Sequence, residues 1–364
     1  MIRLTWQQFR PQAIVAAIAL AVAALVAAVT RPGLATAYAS SGLPACHASC
    51  ATIASSFLTG LNRLDLGLYF GSIALMYLAP ALMGLFWGAP LIAREFETGT
   101  YRIAWTQSVT RTRWTLVKLG LVSLAAIATA ALLSLMVTWW ASPIDHAASL
   151  TGGPVQAAAV ATGREGLNTS WFVPSWIAPP VFAARGVAPL GYAAFAFALG
   201  VTAGVLLRRT LPAMAVTLVV FVVIQVLVPN LVRPHLLPPA HVTTPLNDQS
   251  STFNFDAGSG QTRIQPTGNL APPGAWVLSD IIITPSGAQF TAQPQACMLT
   301  PASGPTGVRD CRNALAAMHL RRSVTYQPAS RFWALQWIET GTYLVLAAGL
   351  GWVCVWQVRR RRAG

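Results

Sequence analysis

Charge is scarce in this chain, so each charged side chain can be weighed by itself. Arg94, Glu95, Glu97, Arg102, Arg111, Arg113 and Lys118 share one short stretch, while residues 66–93 and 119–144 carry no charge at all. Such a cluster can grip a protein surface or lipid headgroups through ion pairs and hydrogen bonds. Glu339 stands alone inside an apolar run, where an unpaired carboxylate facing lipid costs several kcal/mol. It must therefore face a cavity, a partner or Arg331. Gln225, in another apolar run, is a weaker polar candidate for a substrate path, and helix-to-helix hydrogen bonding is its commoner role. Five cysteines are present. Cys46 and Cys50 are close in sequence, as are Cys297 and Cys311; Cys354 sits in an oily run and reads as a small buried hydrophobe. His146, His235, His241 and His319 are scattered, and Asp145 with His146, or Asp280, make a poor acid–base set.

These residues need elements to position them, and composition says which. The 364 residues are 54% hydrophobic and only 9% charged, against about a quarter charged in a soluble domain. So few charges cannot cover a water-facing surface of this size, so lipid is part of the solvent. The net charge of +14 fits loop ends beside anionic lipid rather than nucleic acid, for which no stacking-and-basic groove is visible. Arginine with abundant alanine, and Lys118 as the only lysine, is the composition of a GC-rich bacterial genome. A spanning helix needs about 20 apolar residues. Runs at 12–30, 67–93, 119–140, 187–207, 211–228 and 332–357 qualify, and none alternates as a membrane β-barrel strand would. The first exceeds the usual apolar region of a cleaved signal peptide, although small residues near Ala35 and Ala37 resemble a cleavage site.

Basic residues set the direction. Arg3 and Arg10, then Arg94 to Lys118, then Arg208 and Arg209, then Arg359 to Arg362 all fall on one side of the spans, which is the cytoplasmic one. The expectation is an all-α polytopic membrane protein of six transmembrane helices with both termini cytoplasmic. Residues 12–230 hold helices one to five, 231–331 form a small extracytoplasmic domain, and 332–364 hold helix six and a basic tail. "WVLSDIIITP" reads as sheet and "NALAAMHLRRS" as helix within that domain. Four cysteines fall outside, where disulfides form. The local pairs Cys46–Cys50 and Cys297–Cys311 are expected; a metal at Cys46, His47 and Cys50 is the rival, with an incomplete ligand set, so no metal site is assigned. Trp139, Trp140, Trp333 and Trp337 read as an outer aromatic belt.

The charged insert, 94–113, looks like two short helical pieces. Gly99 supplies a bend, Thr98 or Thr100 a cap, and Tyr101 and Trp105 lie four apart on one face. Physics alone leaves two readings: a rigid knob for another protein, or an interfacial turn whose arginines hold headgroups. Here a resemblance enters. Arg94-Glu95, Gly99-Thr100, Thr106, Arg111 or Arg113, and Lys118 follow in order the pattern after the second span in permease subunits of type 2 ATP-binding-cassette exporters. Gln107 stands where that family often has proline, so the bend is softer. The tail "QPASRFWALQWIETGTYLVLAAGLGWVCVWQVRRRR" also looks like actinobacterial members. The resemblance implies that Arg94, Glu95, Phe96, Glu97, Gly99, Thr100, Tyr101, Arg102 and Trp105 form a coupling helix docking on a separate cytoplasmic ATPase. It implies that residues 1–11, with Trp6, Phe9 and two arginines, form an amphipathic elbow on the inner surface of a bacterial cell membrane. No G-x-x-x-x-G-K-[ST] stretch cradles phosphate here, so no cofactor is expected in this chain, and ATP and Mg belong to the partner. Two such subunits, as a homodimer or with a related permease, would match a cassette dimer. The functional expectation is a permease, itself not an enzyme, exporting an amphipathic or lipid-like compound by alternating access. The rivals are an ATPase-linked signalling or mechanical module that senses a ligand, and a membrane enzyme acting on a lipid carrier.

Overall fold

A computed structural model of the chain describes residues 2–47, 50–99, 111–151, 155–160, 169–246, 251–256, 261–266, 270–290, 295–297 and 304–360. Helices dominate: α1 (Ile2–Ser40), α2 (Ala51–Thr59), α3 (Arg63–Met83), α4 (Ala89–Thr98), α5 (Arg111–Leu150), α6 (Ala188–Leu207), α7 (Thr210–Leu227), α8 (Gly304–Ala317) and α9 (Phe332–Arg360). A π-helical turn, Gly84–Gly88, joins α3 to α4 without a break, and another, Val228–Val232, extends α7. Among the described residues six helical segments are long and apolar enough to cross a membrane: Phe9–Ser40, Arg63–Thr98, Thr112–Leu150, Ala188–Leu207, Thr210–His235 and Ala329–Arg360.

These helices are longer than the apolar runs within them. α5 has 40 residues, about 60 Å at the helical rise, twice the ~30 Å hydrocarbon thickness. Its polar ends continue the helix because nothing in "ASPIDHAASL" halts it; Pro143 is tolerated inside. Likewise α1 runs from Ile2 through Pro11 and Pro32 to Ser40. The segment 1–11, expected as a separate elbow, is thus continuous with the first span, and Phe9 is buried edge-on against Trp87 with ring centroids 5.0 Å apart. Residues 31–66, which separate the first two apolar runs, are largely the end of α1 and α2.

α6 is the axis of the bundle. Of its most apolar window 83% is buried inside the protein, against 6% for the first span. Its glycines explain the difference. Gly84 and Gly88 on the π-turn lie against Ala196, Phe197 and Gly200 of α6, and Gly204 lies against Ala89 and Ala93 of α4, small residues on both sides of the crossing. A Cβ on Gly200 would lie 2.3 Å from the Gly84 carbonyl oxygen, and one on Gly204 2.6 Å from that of Ala89. Without hydrophobic drive between helices in lipid, this backbone approach supplies the packing.

At one end of the bundle lie the strands. β3 (Ala240–Pro245), β7 (Arg321–Gln327) and β6 (Trp276–Ile283) form an antiparallel sheet in that order, while β1 (Val155–Val160) pairs with β2 (Thr169–Val173) and β4 (Ser251–Asp256) with β5 (Gln261–Pro266). β6 covers most of "WVLSDIIITP". The helix expected in "NALAAMHLRRS" stops at Ala317, and from Arg321 the chain is strand, after His319 takes a left-handed φ of 48°. Cys297, Cys311, Leu315 and Leu320 form a small core beside the sheet. Disulfides join Cys46 to Cys50 and Cys297 to Cys311. The unit rests on the bundle: Gly274 N donates to Thr151 O at 3.1 Å, and Gln327 Nε2 to Leu237 O at 2.7 Å.

Candidate functional site

The basic end of the bundle gathers part of the charged insert. α4 ends at Gly99, whose φ of 70° turns the chain out of the helix. Residues 100–110, with Thr100, Tyr101, Arg102 and Trp105, lie outside the described residues. The two feet of the segment are described, and they are tied together. Glu95 on α4 forms a salt bridge with Lys118 on α5, whose ammonium also lies 4.6 Å from the Trp114 ring centroid. Lys118 is 2% exposed, so its charge needs that carboxylate. Two residues on, on another face of α4, Glu97 Oε1 accepts from Thr210 N at 2.8 Å and Oε2 from Thr210 Oγ1 at 2.6 Å. This satisfies an open amide at the start of α7, whose Arg209 N-cap makes no side-chain cap bond. A carboxylate here also complements the helix dipole. Phe96 packs partly buried against the core that holds Ile92, Val122 and Val205; Arg94 is exposed. The two glutamates therefore fasten α4 to α5 and α7, while Ala89 and the π-turn press on α6.

At the sheet end, Glu339 is 2% exposed and does not pair with Arg331. Its partner is Arg233, 0% exposed, whose Nε and Nη2 donate to the two carboxylate oxygens at 2.8 and 2.9 Å. Tyr192 Oη also donates to Glu339 Oε1. The guanidinium lies 4.3 Å from the Phe182 centroid and reaches Pro179 O at 3.3 Å. Arg331 instead donates to Pro238 O and to Gln327 Oε1. Gln225 Oε1 accepts from Tyr343 Oη at 3.3 Å, while its buried Nε2 has no partner among the described residues. Glu339 and Gln225 are thus brought within one network of α6, α7 and α9, lined by Tyr192 and Tyr343 whose rings meet edge-on at 4.8 Å.

Sequence reading missed Arg233, Arg185 and Gln336 at this end. Asp145 accepts from Arg185 Nε at 2.7 Å and Tyr69 Oη at 2.8 Å, a second buried carboxylate–arginine pair. Gln336 makes four bonds: Oε1 accepts from Val187 N and Ala188 N, and Nε2 donates to Phe182 O and Arg185 O. It closes the N-terminus of α6. A signal for the arginines existed: Arg185 and Arg233 flank spans on the side opposite the basic groups, where the rule on positive residues gives them no work. Of the tryptophans, Trp139, Trp333 and Trp337 are exposed as a belt requires, but Trp140 is buried and donates to Thr30 Oγ1 at 2.8 Å.

A family described as ABC-2 membrane transporter related matches residues 17–233. The chain belongs to that family. The match runs from the first span through Arg233 and includes the whole of the charged insert; the sheet unit after Pro234 and α9 lie beyond it. Neither a curated protein nor a solved structure matches. Family membership and six spanning helices make this a multi-pass membrane protein. Members of ABC-2 permease families are generally transport components that lack an ATPase site of their own and typically work with a separate ATPase.

Proposed function

We propose that the chain is the permease subunit of an exporter in which a cytoplasmic ATP-binding-cassette ATPase, holding ATP and Mg, docks on residues 94–113 and drives alternating access for an amphipathic or lipid-like compound. The observation that carries this is the fastening of α4 to two other spans by Glu95–Lys118 and Glu97–Thr210. A load that reaches the end of α4 is then carried by these bonds. It passes to α5, to α7 and, through the glycine contact, to α6, and close-packed helices respond by sliding between discrete arrangements. Two copies, or one with a related permease, would supply the two docking points that a cassette dimer offers. The basic end faces the cytoplasm in this reading, and the sheet unit lies outside.

The test is co-purification with a cassette ATPase and reconstitution in vesicles. Glu95→Arg with Tyr101→Ala should weaken ATPase recovery while membrane insertion persists; normal assembly and coupling would overturn the docking assignment. ATP-dependent movement of an amphipathic probe supports export. The disulfide-stapled sheet unit favours a second reading, a module that transmits force to an outer sensor. Hydrolysis coupled to the double variant's site without movement of any probe would select it.

A further inference from the structure

A cavity of about 650 Å³ opens between α5, α6 and α9. Its walls are apolar, with Leu119, Phe197 and Leu344 among them, and its basic end is closed by Trp352, Trp356 and Arg359. We propose that it binds one anionic phospholipid, an acyl chain lying in the groove and the headgroup phosphate on Arg359. Three features choose this occupant.

The first is length. From Leu344 to Arg359 the lining of α9 rises about 22 Å at about 1.5 Å per residue, which is half of a bilayer of about 40–45 Å including headgroups. The groove is one leaflet deep; a helix of another chain would need the full span. The second is charge. Arg359 gives Nε to Thr112 Oγ1 at 3.0 Å and makes no other hydrogen bond among the described residues, leaving most of its fork for phosphate oxygens, and Arg360 stands 4.0 Å from the Trp356 centroid beside it. The third is the indole pair itself. Trp352 and Trp356 stack at 6.3 Å with a 19° interplanar angle, two turns and one turn inward of Arg359, and amphipathic rings of this kind sit at the boundary between headgroups and acyl chains. None of this depends on the proposed transport role.

The test uses the full chain, purified in detergent and analysed by native mass spectrometry with added palmitoyl-oleoyl phosphatidylglycerol or phosphatidylcholine. Gly351→Leu fills the groove safely, because a Cβ at Gly351 meets nothing within 4 Å. Gly120→Leu, on α5, is the second filler for the same reason. Wild type should hold one phosphatidylglycerol in preference to phosphatidylcholine. Either filler should abolish that adduct with an unchanged thermal unfolding profile. Arg359→Gln should weaken phosphatidylglycerol about fivefold, the effect of one basic residue at an anionic surface, and leave phosphatidylcholine alone. Equal adducts in wild type and both fillers, equal retention of the two lipids, or a dimer that the fillers dissociate would each overturn the proposal, the last by showing a second copy in the groove.

Discussion

At the scale of single residues, the informative side chains are charged groups that the fold takes out of water. Arg233 and Glu339 are both fully enclosed and bonded through two parallel hydrogen bonds, so removing one partner strands a charge. Arg233→Met should destabilise the protein by about 3 kcal/mol or more, seen as a lowered midpoint in detergent thermal unfolding. Arg233→Met with Glu339→Leu should recover most of that loss if the pair is a structural clamp. If the double variant is stable yet inactive in transport, the pair belongs to the substrate path. Glu97 makes a different case, since it is exposed at the membrane surface and holds Thr210 rather than a charge. Glu97→Ala should leave folding almost unchanged and lower the coupling of ATP hydrolysis to movement, measured in vesicles with the ATPase present.

At the scale of elements, the crossing of the π-turn over α6 decides how the bundle packs. Gly200→Ala puts a methyl 2.3 Å from a backbone oxygen that no rotamer change can move. It should cost about 1–3 kcal/mol or more, read as loss of the monodisperse peak on size exclusion, whereas Gly120→Ala, with open space around it, should be neutral. The spans were legible in the sequence because twenty apolar residues have few other fates. Their ends were not: α1 and α5 run on past the apolar runs, since helix propagation costs little once begun and no breaker follows. The local disulfide pairs followed from spacing and compartment. The strand at Arg321 did not, because "MHLRRS" is a good helical sequence and only cross-strand pairing with β3 and β6 makes it extended.

For the whole molecule, two measurements carry the most weight. Thr98→Cys at the basic end and Ser286→Cys near the sheet should react with impermeant maleimide from opposite sides of the membrane, the first from the cytosol. Labelling of both from one side would invalidate the six-span arrangement. Reduction, or Cys297→Ser, should destabilise the sheet unit by about 3 kcal/mol, as expected for opening a loop of this order, with protease cutting in 270–320 as the readout. By itself the sequence determined that the chain lives in lipid, where its spans lie and where its charged segment interrupts them. Those are matters of composition and order, and hydrophobic transfer acts on each run separately. Only the tertiary structure decided that the fourth span is the enclosed axis, that Glu339 answers to Arg233 rather than Arg331, and that Glu95 and Glu97 bind two other spans. Each of these is a meeting between residues distant along the chain, set by which glycine faces allow backbones to touch, and hydropathy carries no record of facing.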